Sequence, residues 1–463
     1  MLKKILPILL LSLMAPISHA SAKSLHELQQ EFVDLKFGLF IHFGMGTYQD
    51  EDWADPNVDI SQFNPTKLDC RKWAEAARSA NMNFGCMSVK HHCGFCMWDT
   101  ETTDYNAANS GIKRDVVKEF TDAMRERDMK VMFHFSILDM HEKILPNNIK
   151  PYHTEFIKNQ LRELLTNYGP VTALMIDGWD APWSRLSYED IPFEEIYNFC
   201  KSIQPDCLIM DLNGAKYPAE ALFYSDLKTY EQGAGQKIEK DRSFLPSMAC
   251  YPLQRSWFWK TDMPANATKS PEEMVNDNLR PMNEARCTFI LNVAPNRDGL
   301  FDQNAIESLK KIGKLWKDDK KQRVVAETAA PIIATNIAKK KHAIGSWSYD
   351  MNLHDLAIDD SFSSSWVSHP SVKEPWLQVE LGDVYPVNAV VLTDNHDKAI
   401  TSYRIECRNN GKWSTVFEGP APTEKRVKIN RFNTVLADAV KLTVTDANGN
   451  VQVRELGVYN EKR

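Results

Sequence analysis

Histidines and one aspartate stand at places where short apolar runs of the sequence stop. In chain order these residues are His42, the pair His91 and His92, His134, and Asp177. A neutral imidazole exchanges hydrogen bonds with hydroxyl groups, and a carboxylate can act as a nucleophile or a base. Strand ends are often polar because loops face water. Consecutive ends that all carry such groups nevertheless favour one shared active site over that simpler interpretation.

Two carboxylates in this region suit the hydrolysis of a glycosidic bond, which uses a pair of carboxyl groups flanking the bond. Asp177 closes an apolar run and is followed by Gly178, which lets a ligand approach the backbone, and by Trp179, a candidate pocket wall. Glu231 follows Tyr230 beside a glycine-containing loop, where burial would raise its pKa as an acid catalyst requires. Three other carboxylates compete with Glu231 on spacing alone: Asp211, Asp226 and Glu239.

The segment His91-His-Cys-Gly-Phe-Cys96 admits a second interpretation. A Cys-x-x-Cys pair can be a redox centre, and together with two histidines it can bind a metal. No second ligand pair follows at a spacing typical of zinc sites, so we expect no metal at the active site. Several of the nine cysteines lie in apolar strand-like runs, where buried free thiols are expected: Cys86, Cys207 and Cys287.

These residues must be positioned by a repeated alternation of apolar runs and amphipathic stretches between about residues 30 and 320. Strands are predicted at Phe37–Phe43, Phe84–Val89, Lys130–Phe135, Ala173–Asp177, Cys207–Asp211, Phe223–Lys228 and Thr288–Val293. Helices are predicted at Leu68–Ala80, Arg114–Arg127, His153–Tyr168 and Phe193–Ile203. Such alternation indicates an α/β fold with a parallel sheet. The length favours a (β/α)8 (TIM) barrel, whose active sites lie at the carboxyl ends of the strands.

After about Arg323 the pattern changes to short alternating segments separated by turn residues. Segments of this kind begin at Trp376, Ala389, Ser402 and Val440. The alternation is typical of an antiparallel all-β sandwich. We therefore predict a catalytic barrel over residues 23–330 and a β-sandwich of the jelly-roll type over residues 331–463.

The N-terminal residues and the composition restrict where the protein works. Met1–Ala22 has a charged start, an apolar stretch and a small-x-small site, as a secretory signal peptide does. We expect export to the periplasm or the extracellular space, with no membrane association after removal of the signal. A net charge of −7 and a pI near 6.0 argue against nucleic acid as a partner. The oligomeric state stays open.

Longer stretches in the first domain carry a resemblance to a known family. They are Lys36-Phe-Gly-Leu-Phe-Ile-His-Phe-Gly44, Phe63-Asn-Pro65, Leu68-Asp-Cys-Arg-Lys-Trp73, Lys90-His-His-Cys-Gly-Phe-Cys-Met-Trp-Asp99, Thr103-Asp-Tyr-Asn106, Ile176-Asp-Gly178, Ser256-Trp-Phe-Trp259 and Phe289-Ile-Leu-Asn-Val-Ala-Pro-Asn-Arg-Asp-Gly-Leu300. In this order they resemble the retaining α-L-fucosidases of glycoside hydrolase family 29. The resemblance implies a (β/α)8-like barrel, in agreement with the strand pattern.

The resemblance also implies roles for individual residues. Asp177 stands at the position of the family's nucleophile, although Met175 and Ile176 replace its Trp-Phe pair. A sugar-binding set is implied or expected at His42, Trp53, His91, His92, His134, Trp179 and Trp257. Cys93 stands where the family has an aspartate after the paired histidines, which puts one supporting contact in question.

The two branches of the family place the acid/base differently. One branch has a glutamate before the paired aromatics, where this chain reads Pro246-Ser-Met-Ala-Cys250 without a carboxylate. The other, similar to α-1,3/1,4-specific fucosidases, has it in a loop that resembles Tyr230-Glu-Gln-Gly-Ala-Gly235. The resemblance therefore points to Glu231 as the acid/base and to branched fucosylated glycans as substrates.

The second domain resembles discoidin-like modules of the coagulation factor 5/8 type C kind. The resemblance is carried by Ala357-Ile-Asp-Asp-Ser-Phe-Ser-Ser-Ser-Trp366 and Trp376-Leu-Gln-Val-Glu-Leu-Gly382. Sugar binding and packing against the barrel are both open roles for such a domain. It implies a possible structural calcium ion, held by loop oxygens.

The resulting hypothesis is an exo-acting, retaining α-L-fucosidase that removes terminal fucosyl residues from fucosylated oligosaccharides or glycoconjugates, without a required cofactor. An alternative on the same scaffold is an α-L-galactosidase or another retaining glycosidase. An alternative of a different class is a catalytically silent glycan-binding protein, suggested by Cys93 and by the added β domain.

Overall fold

The computed structural model describes residues 23–236, 238, 244–395, 400–421 and 426–462. The predicted signal peptide, Met1–Ala22, lies outside these residues, as does Glu239. No helix of the described part is both long and apolar enough to cross a bilayer.

The first domain is built on eight parallel strands. They are β1 (Phe37–Ile41), β2 (Phe84–Lys90), β3 (Lys130–Ser136), β4 (Ala173–Asp177), β5 (Leu208–Asp211), β6 (Lys228–Glu231), β7 (Ser247–Pro252) and β8 (Cys287–Asn292). Their order in the sheet is 5-4-3-2-1-8-7-6, so β1 pairs with β8 and the sheet curls into a nearly closed barrel. The predicted TIM-like barrel is confirmed.

Helices cover the outside of the barrel. They are α1 (Leu25–Leu35), α2 (Met45–Gln49), α3 (Cys70–Ser79), α4 (Val116–Arg125), α5 (Pro151–Asn167), α6 (Phe193–Ile203), α7 (Pro271–Glu273), α8 (Arg280–Glu284) and α9 (Gln303–Leu315). A π-helical stretch at Met274–Leu279 joins α7 to α8. In α4 the side chains of Val116, Phe120 and Met124 recur at helical spacing and are buried against the sheet. The apolar periodicity therefore located the four predicted helices.

The seam between β5 and β6 is closed by side chains and lacks a paired strand ladder. Thr229 Oγ1 donates to the carbonyl of Asp211 at 2.6 Å. The Asp226 carboxylate accepts the Ile209 N–H at 2.9 Å, and the Asp226 N–H donates to the Ile209 carbonyl at 2.8 Å. Buried backbone groups need such partners, so Asp226 takes the place of a strand neighbour.

One predicted strand is wrong, and one observed strand was not predicted. The predicted strand Phe223–Lys228 is wrong, because β6 begins only at Lys228. Tyr224 has a left-handed backbone (φ 50°), and Asp226 turns inward to the seam, so this apolar run is not extended. Strand β7 was not predicted, since its residues, Ser-Met-Ala-Cys-Tyr-Pro, include no β-branched side chain.

The second domain is an antiparallel β-structure. Its strands are β9 (His342–Gly345), β10 (Trp366–Val367), β11 (Trp376–Asp394), β12 (Ile400–Asn409), β13 (Lys412–Pro420), β14 (Val427–Ala447) and β15 (Gln452–Tyr459). The order is 10-15-11-14-12-13, with β9 paired to β11. The predicted all-β domain is confirmed. The predicted boundary at residues 330 and 331 falls in the irregular segment between α9 and β9.

The two domains pack closely against each other. Arg426 of the sandwich forms a two-pronged ion pair with Glu220 of the barrel, at 2.7 and 2.9 Å. Phe362 packs edge-on against Tyr217, with ring centroids 5.6 Å apart. The packing places part of the sandwich beside the carboxyl ends of β5 and β6.

Asp226 should matter for stability, because its buried carboxylate joins several elements. It accepts from Tyr197 Oη at 2.8 Å and pairs with Lys201 at 2.8 Å. Removing one partner of a buried ion pair leaves the other unsatisfied, so Asp226→Ala should lower the free energy of unfolding by about 3 kcal/mol. Urea unfolding followed by tryptophan fluorescence measures this change. Asp104→Ala, at an exposed position, is the matched control and should change stability little. Equal unfolding midpoints for the two variants would contradict the bridging role.

Candidate active site

A pocket of about 170 Å³ opens where the carboxyl ends of the barrel strands converge. Eight of the expected site residues line it: His42, Trp53, His91, His92, His134, Asp177, Glu231 and Trp257. The structure adds five lining residues that were not expected: Phe40, Asp52, Trp183, Leu212 and Cys250. Residues far apart in the sequence thus form a single site, because parallel strands bring their carboxyl ends to one face of a barrel.

The Asp177 carboxylate is buried at the end of β4 and holds its negative charge. His134 Nε2 lies 3.3 Å from Oδ2, and Asn213 Nδ2 donates to Oδ1 at 2.9 Å. Burial alone would raise the pKa of Asp177, but the hydrogen bond from His134, the neighbouring imidazoles and Asn213 lower it to about 2. Asp177 is therefore a carboxylate at neutral pH.

Glu231 is the last residue of β6, and its pKa is raised, whereas that of Asp177 is lowered. Burial and the negative charge of Asp177 raise the pKa of Glu231 to about 7, although the Trp257 side chain donates a hydrogen bond to it. The backbone N–H of Glu231 donates to Gln236 Oε1 at 2.7 Å, which fixes the loop after the strand. The pocket thus contains one ionised carboxylate and one carboxyl group able to carry a proton near neutral pH.

Two of the competing carboxylates, Asp211 and Asp226, do not line the pocket. The carboxylate of Asp226 is bonded to Ile209 and Lys201 at the β5–β6 seam. Asp211 accepts from Tyr188 Oη at 2.6 Å and from the Asn213 N–H at 2.9 Å, and burial raises its pKa to about 7. It acts on the site only indirectly, since Asn213 contacts Asp177. Glu239 lies outside the described residues.

Burial favours the neutral form of three pocket histidines, His42, His91 and His92. Burial lowers the pKa of His42 to about 3 and that of His92 to about 4, and it lowers the pKa of His91 well below its ordinary value. Neutral imidazoles can both donate to and accept from sugar hydroxyls.

Hydrogen bonds on the far side of two rings orient them. His42 Nδ1 lies 2.8 Å from Oδ1 of Asn292, whose amide donates to the Trp257 carbonyl. His92 Nδ1 lies 2.7 Å from Oγ of Ser136, whose hydroxyl donates to the Leu138 carbonyl. The Asn292 amide oxygen can only accept a hydrogen bond, and the Ser136 hydroxyl already donates its proton elsewhere. Nδ1 is therefore the protonated nitrogen in both His42 and His92. The Nε2 of His42 is therefore available to accept a hydrogen bond from a hydroxyl group, whereas the Nε2 of His92 lies 3.6 Å from Oδ2 of Asp177.

Aromatic side chains form the walls. Trp53 lies over His92 with centroids 4.5 Å apart, and Trp183 meets the same imidazole at 4.4 Å. On the other side Trp257 packs against His42 at 5.2 Å. Trp53 and Trp183 are each more than 40% exposed (43% and 42%), so they present ring surface at the mouth of the pocket.

Trp179 was expected in the pocket, and this expectation is wrong. The residue is fully buried, donates its indole N–H to the Ile191 carbonyl at 2.8 Å and packs on Phe193 at 4.9 Å. Gly178 has φ +115°, and this turn directs the chain away from the pocket before Trp183 returns to it. Because of the turn at Gly178, the tryptophan in the pocket wall is Trp183, four residues after Trp179.

Asp52 was missed although a signal was present, since it directly precedes Trp53. Its carboxylate accepts from Ser256 Oγ at 2.7 Å and pairs with Lys260 at 3.2 Å. These bonds hold the segment that carries Trp257 and Phe258 against the mouth of the pocket. Phe258 in turn packs on His91 at 5.0 Å.

A buried charge pair supports the loop that carries His91 and His92. Lys90 Nζ lies 3.1 Å from Asp139 and donates to Gln160 at 2.8 Å. Gly94 has φ +91°, and a Cβ there would lie 2.1 Å from the Asp139 carboxylate. The Asp139 carboxylate therefore supports this loop. The resembled family has an aspartate at the position of Cys93, and in this chain the supporting carboxylate belongs to Asp139 instead.

The cysteines of this loop are buried, as expected of structural thiols. All nine cysteines are free and buried, and burial raises the pKa of Cys93 to about 12. Within the described residues, no group of three or more histidine, cysteine, aspartate or glutamate side chains is arranged to hold a metal ion. The calcium ion suggested for the second domain therefore has no support from such a cluster.

The barrel, the paired carboxyl groups and the neutral histidines define a glycoside hydrolase. The chain belongs to the α-L-fucosidase family, glycoside hydrolase family 29, whose model matches residues 16–321. A model of the F5/8 type C domain matches residues 340–456. Both recognitions made from sequence motifs are confirmed.

Individual relatives match this chain over most of its length. Alpha-L-fucosidase 1 of Arabidopsis thaliana is 25% identical over 455 residues, which are 92% of this chain and 85% of that protein. A fucosidase of the same family from Ruminococcus gnavus, solved in complex with fucose, superposes with a TM-score of 0.52 at 20% identity, covering 94% of this chain and 95% of that one. A family member from an unknown rumen bacterium gives 0.52 at 24% identity, covering 94% and 76%. At these identities the solved structures establish the common fold.

The conformation of Gly94 should be essential to the site. Gly94→Ala combines a left-handed backbone with a clash against Asp139, so it should lower the free energy of unfolding by about 3 kcal/mol and weaken fucose binding. Gly411→Ala is the matched control, since its φ is +72° but nothing lies within 4 Å of the added Cβ. It should cost only about 1 kcal/mol. Urea unfolding and calorimetric titration with fucose measure both quantities, and equal losses in the two variants would refute the importance of the contact with Asp139.

Proposed function

We propose that the protein is an exo-acting, retaining α-L-fucosidase that releases terminal fucosyl residues by double displacement. The observation that carries the proposal is the difference between two carboxyl groups in one pocket. The pKa of Asp177 is held at about 2, and that of Glu231 is raised to about 7. A nucleophile must be ionised and an acid catalyst protonated at the same pH, and this pair meets both requirements.

In the first step Asp177 attacks the anomeric carbon of the fucosyl residue. The bond to the leaving oxygen breaks while Glu231 donates its proton to that oxygen. The product is a fucosyl ester of Asp177, and Glu231 is left as a carboxylate. His134 and Asn213 stabilise the ionised carboxylate of Asp177 in the resting enzyme. They therefore keep the nucleophile charged until it attacks.

In the second step the Glu231 carboxylate takes a proton from water. The water oxygen attacks the anomeric carbon, the ester bond to Asp177 breaks, and fucose leaves with its original anomeric configuration. Both residues return to their starting protonation states. The reaction needs only these two carboxyl groups and water, so we propose that it uses no cofactor.

The remaining pocket residues suit a neutral deoxy sugar. The Nε2 of His42 accepts a hydrogen bond from a hydroxyl group of the sugar. The side chains of Trp53, Trp183 and Trp257 cover its C–H and methyl surface. The pocket, with about 170 Å³, fits a single terminal sugar ring, which supports exo action. The fucose complex of the Ruminococcus gnavus relative agrees with this choice of sugar.

The glycan, the cell compartment and the partners follow from sequence features. The position of Glu231 in its glycine-containing loop supports α-1,3/1,4-branched fucosylated glycans as substrates. The signal-like segment Met1–Ala22 supports export to the periplasm or the extracellular space. The acidic composition argues against nucleic acid as a partner.

Replacement of Asp177 tests the nucleophile. Asp177→Ala should lower kcat/KM on an aryl α-L-fucoside by at least about 1,000-fold, because the variant lacks the carboxylate that attacks the anomeric carbon. Circular dichroism and thermal melting check that the variant is folded. With the unchanged enzyme, proton NMR during the reaction should show α-fucose as the first product. Wild-type activity of a folded Asp177→Ala variant, or β-fucose as the first product, would refute the proposal.

Glu231 is tested by its pH dependence and by chemical rescue. Since Glu231 must be protonated to act as an acid, kcat/KM should fall as the pH rises above about 7. Glu231→Ala should lose this limb, and azide should restore turnover of an activated aryl fucoside by attacking the ester intermediate. Asp104→Ala, at an exposed position, should retain the wild-type profile. A Glu231→Ala variant that keeps the limb and gains nothing from azide would exclude Glu231 as the acid/base.

A further inference from the structure

A cleft of about 620 Å³ lies between the barrel and the β-sandwich. Loops that follow β4 and β5, together with β6 and the loop after it, line the cleft on the barrel side. The sandwich contributes four residues: Phe362, Thr393, Arg426 and Arg454. We call this space the interdomain cleft.

The interdomain cleft adjoins the active pocket on the side of Glu231. Tyr230 and Gln236, which line it, flank Glu231 in the chain, and Gln236 accepts the Glu231 N–H. Asn213 belongs to the cleft wall and also bonds to Asp177. Since the acid catalyst must touch the leaving oxygen, the rest of the glycan emerges on the Glu231 side. The cleft is therefore placed to receive the sugars that leave with that oxygen.

The lining of the interdomain cleft contains more basic than acidic side chains, although the protein as a whole is acidic. The chain carries a net charge of −7, yet the wall contains four cationic side chains and one carboxylate. These are Lys216, Lys228, Arg426 and Arg454, with Asp180. Three of the cations are already engaged. Lys216 contacts Asp180 and Asp360, and Arg426 contacts Glu220. Lys228 donates to the carbonyls of Gly214 and Tyr217, both at 2.6 Å. A remaining cation on a concave wall attracts anions.

Arg454 is the cation best suited to bind a ligand. Its Nε donates to Asn395 Oδ1 at 2.7 Å, and its other bonds go to the same amide oxygen and to the Phe362 carbonyl. All of these acceptors are neutral. Among the described residues these bonds use three of the five guanidinium N–H donors, which leaves two. A guanidinium with two spare donors suits a contact to a carboxylate or a sulfate.

We propose that the interdomain cleft binds the part of the glycan that leaves with the scissile oxygen, and that Arg454 recognises an anionic substituent on it, a carboxylate or a sulfate ester. The sandwich domain then contributes directly to substrate selection. The inference rests on the proposed function, because it assigns the leaving-group side from Glu231.

The test compares substrates that share one fucosyl linkage. They are a neutral fucosylated oligosaccharide, the same oligosaccharide with a sialyl carboxylate, the same with a sulfate ester, and an aryl α-L-fucoside. The wild-type enzyme should have a kcat/KM at least fivefold higher on one or both charged forms than on the neutral one. Preference for one charged form identifies the group that is recognised. Arg454→Gln should lower the charged-to-neutral ratio about tenfold.

Two further variants make the result specific to Arg454. Arg454→Lys keeps the charge but loses the planar pair of donors, so it should lie between the wild type and Arg454→Gln. Lys412→Gln removes one exposed charge from the same domain and should leave the ratio unchanged. For the wild-type enzyme, about 1 M NaCl, where the screening length is roughly 3 Å, should reduce the ratio. This measurement does not depend on the folding of a variant.

The inference would be overturned by equal kcat/KM values on the neutral and both charged substrates, or by an Arg454→Gln variant that lowers all of them equally. Its failure is separate from failure of the proposed function. An enzyme that cleaves the aryl fucoside but ignores the charged groups refutes only the role of Arg454. An enzyme that cleaves no fucoside refutes the proposed function itself.

Discussion

The active site depends on keeping one carboxylate ionised in a buried pocket. Desolvation disfavours the charge of Asp177, and only the polar groups of neighbouring strand ends outweigh it. His134 on β3 and Asn213 after β5 provide these groups on either side of β4. The same charge raises the pKa of Glu231, so that the ionised state of one carboxyl group favours the protonated state of the other. A pocket without this asymmetry would contain two equivalent carboxylates and no acid.

The incomplete closure of the barrel affects both the site and the second domain. Because β5 and β6 do not form a regular ladder, Asp226 and Thr229 satisfy the exposed backbone groups at the seam. On either side of the seam, Asn213 in the loop after β5 contacts Asp177, and Glu231 at the end of β6 responds to its charge. The sandwich packs beside these same loops through Glu220 and Arg426, and thereby forms the far wall of the interdomain cleft. The domain interface is thus continuous with the catalytic centre.

Much of the fold was predictable because its signals are local. Strand β4 and helix α6 were predicted with the bounds observed, since an apolar run or a helical period defines each of them. The failures occurred where tertiary contacts override the pattern. The apolar run after Phe223 is not a strand, because a left-handed Tyr224 and the seam contacts of Asp226 dominate there. Strand β7 has weak strand propensity and exists because β6 and β8 pair with it on either side.

The sequence alone determined the class of fold, the two domains, the family and the residues that gather at the strand ends. It could do so because parallel strands in a barrel direct their carboxyl ends to one face, whatever the loops do. Tertiary structure alone decided which carboxylate carries a proton and which tryptophan forms the wall. Glu231 and Asp226 look alike in the chain, but one faces the charge of Asp177 and the other bonds to Tyr197 and Lys201. Such differences arise from burial and neighbouring charge, and these exist only once distant segments have packed together.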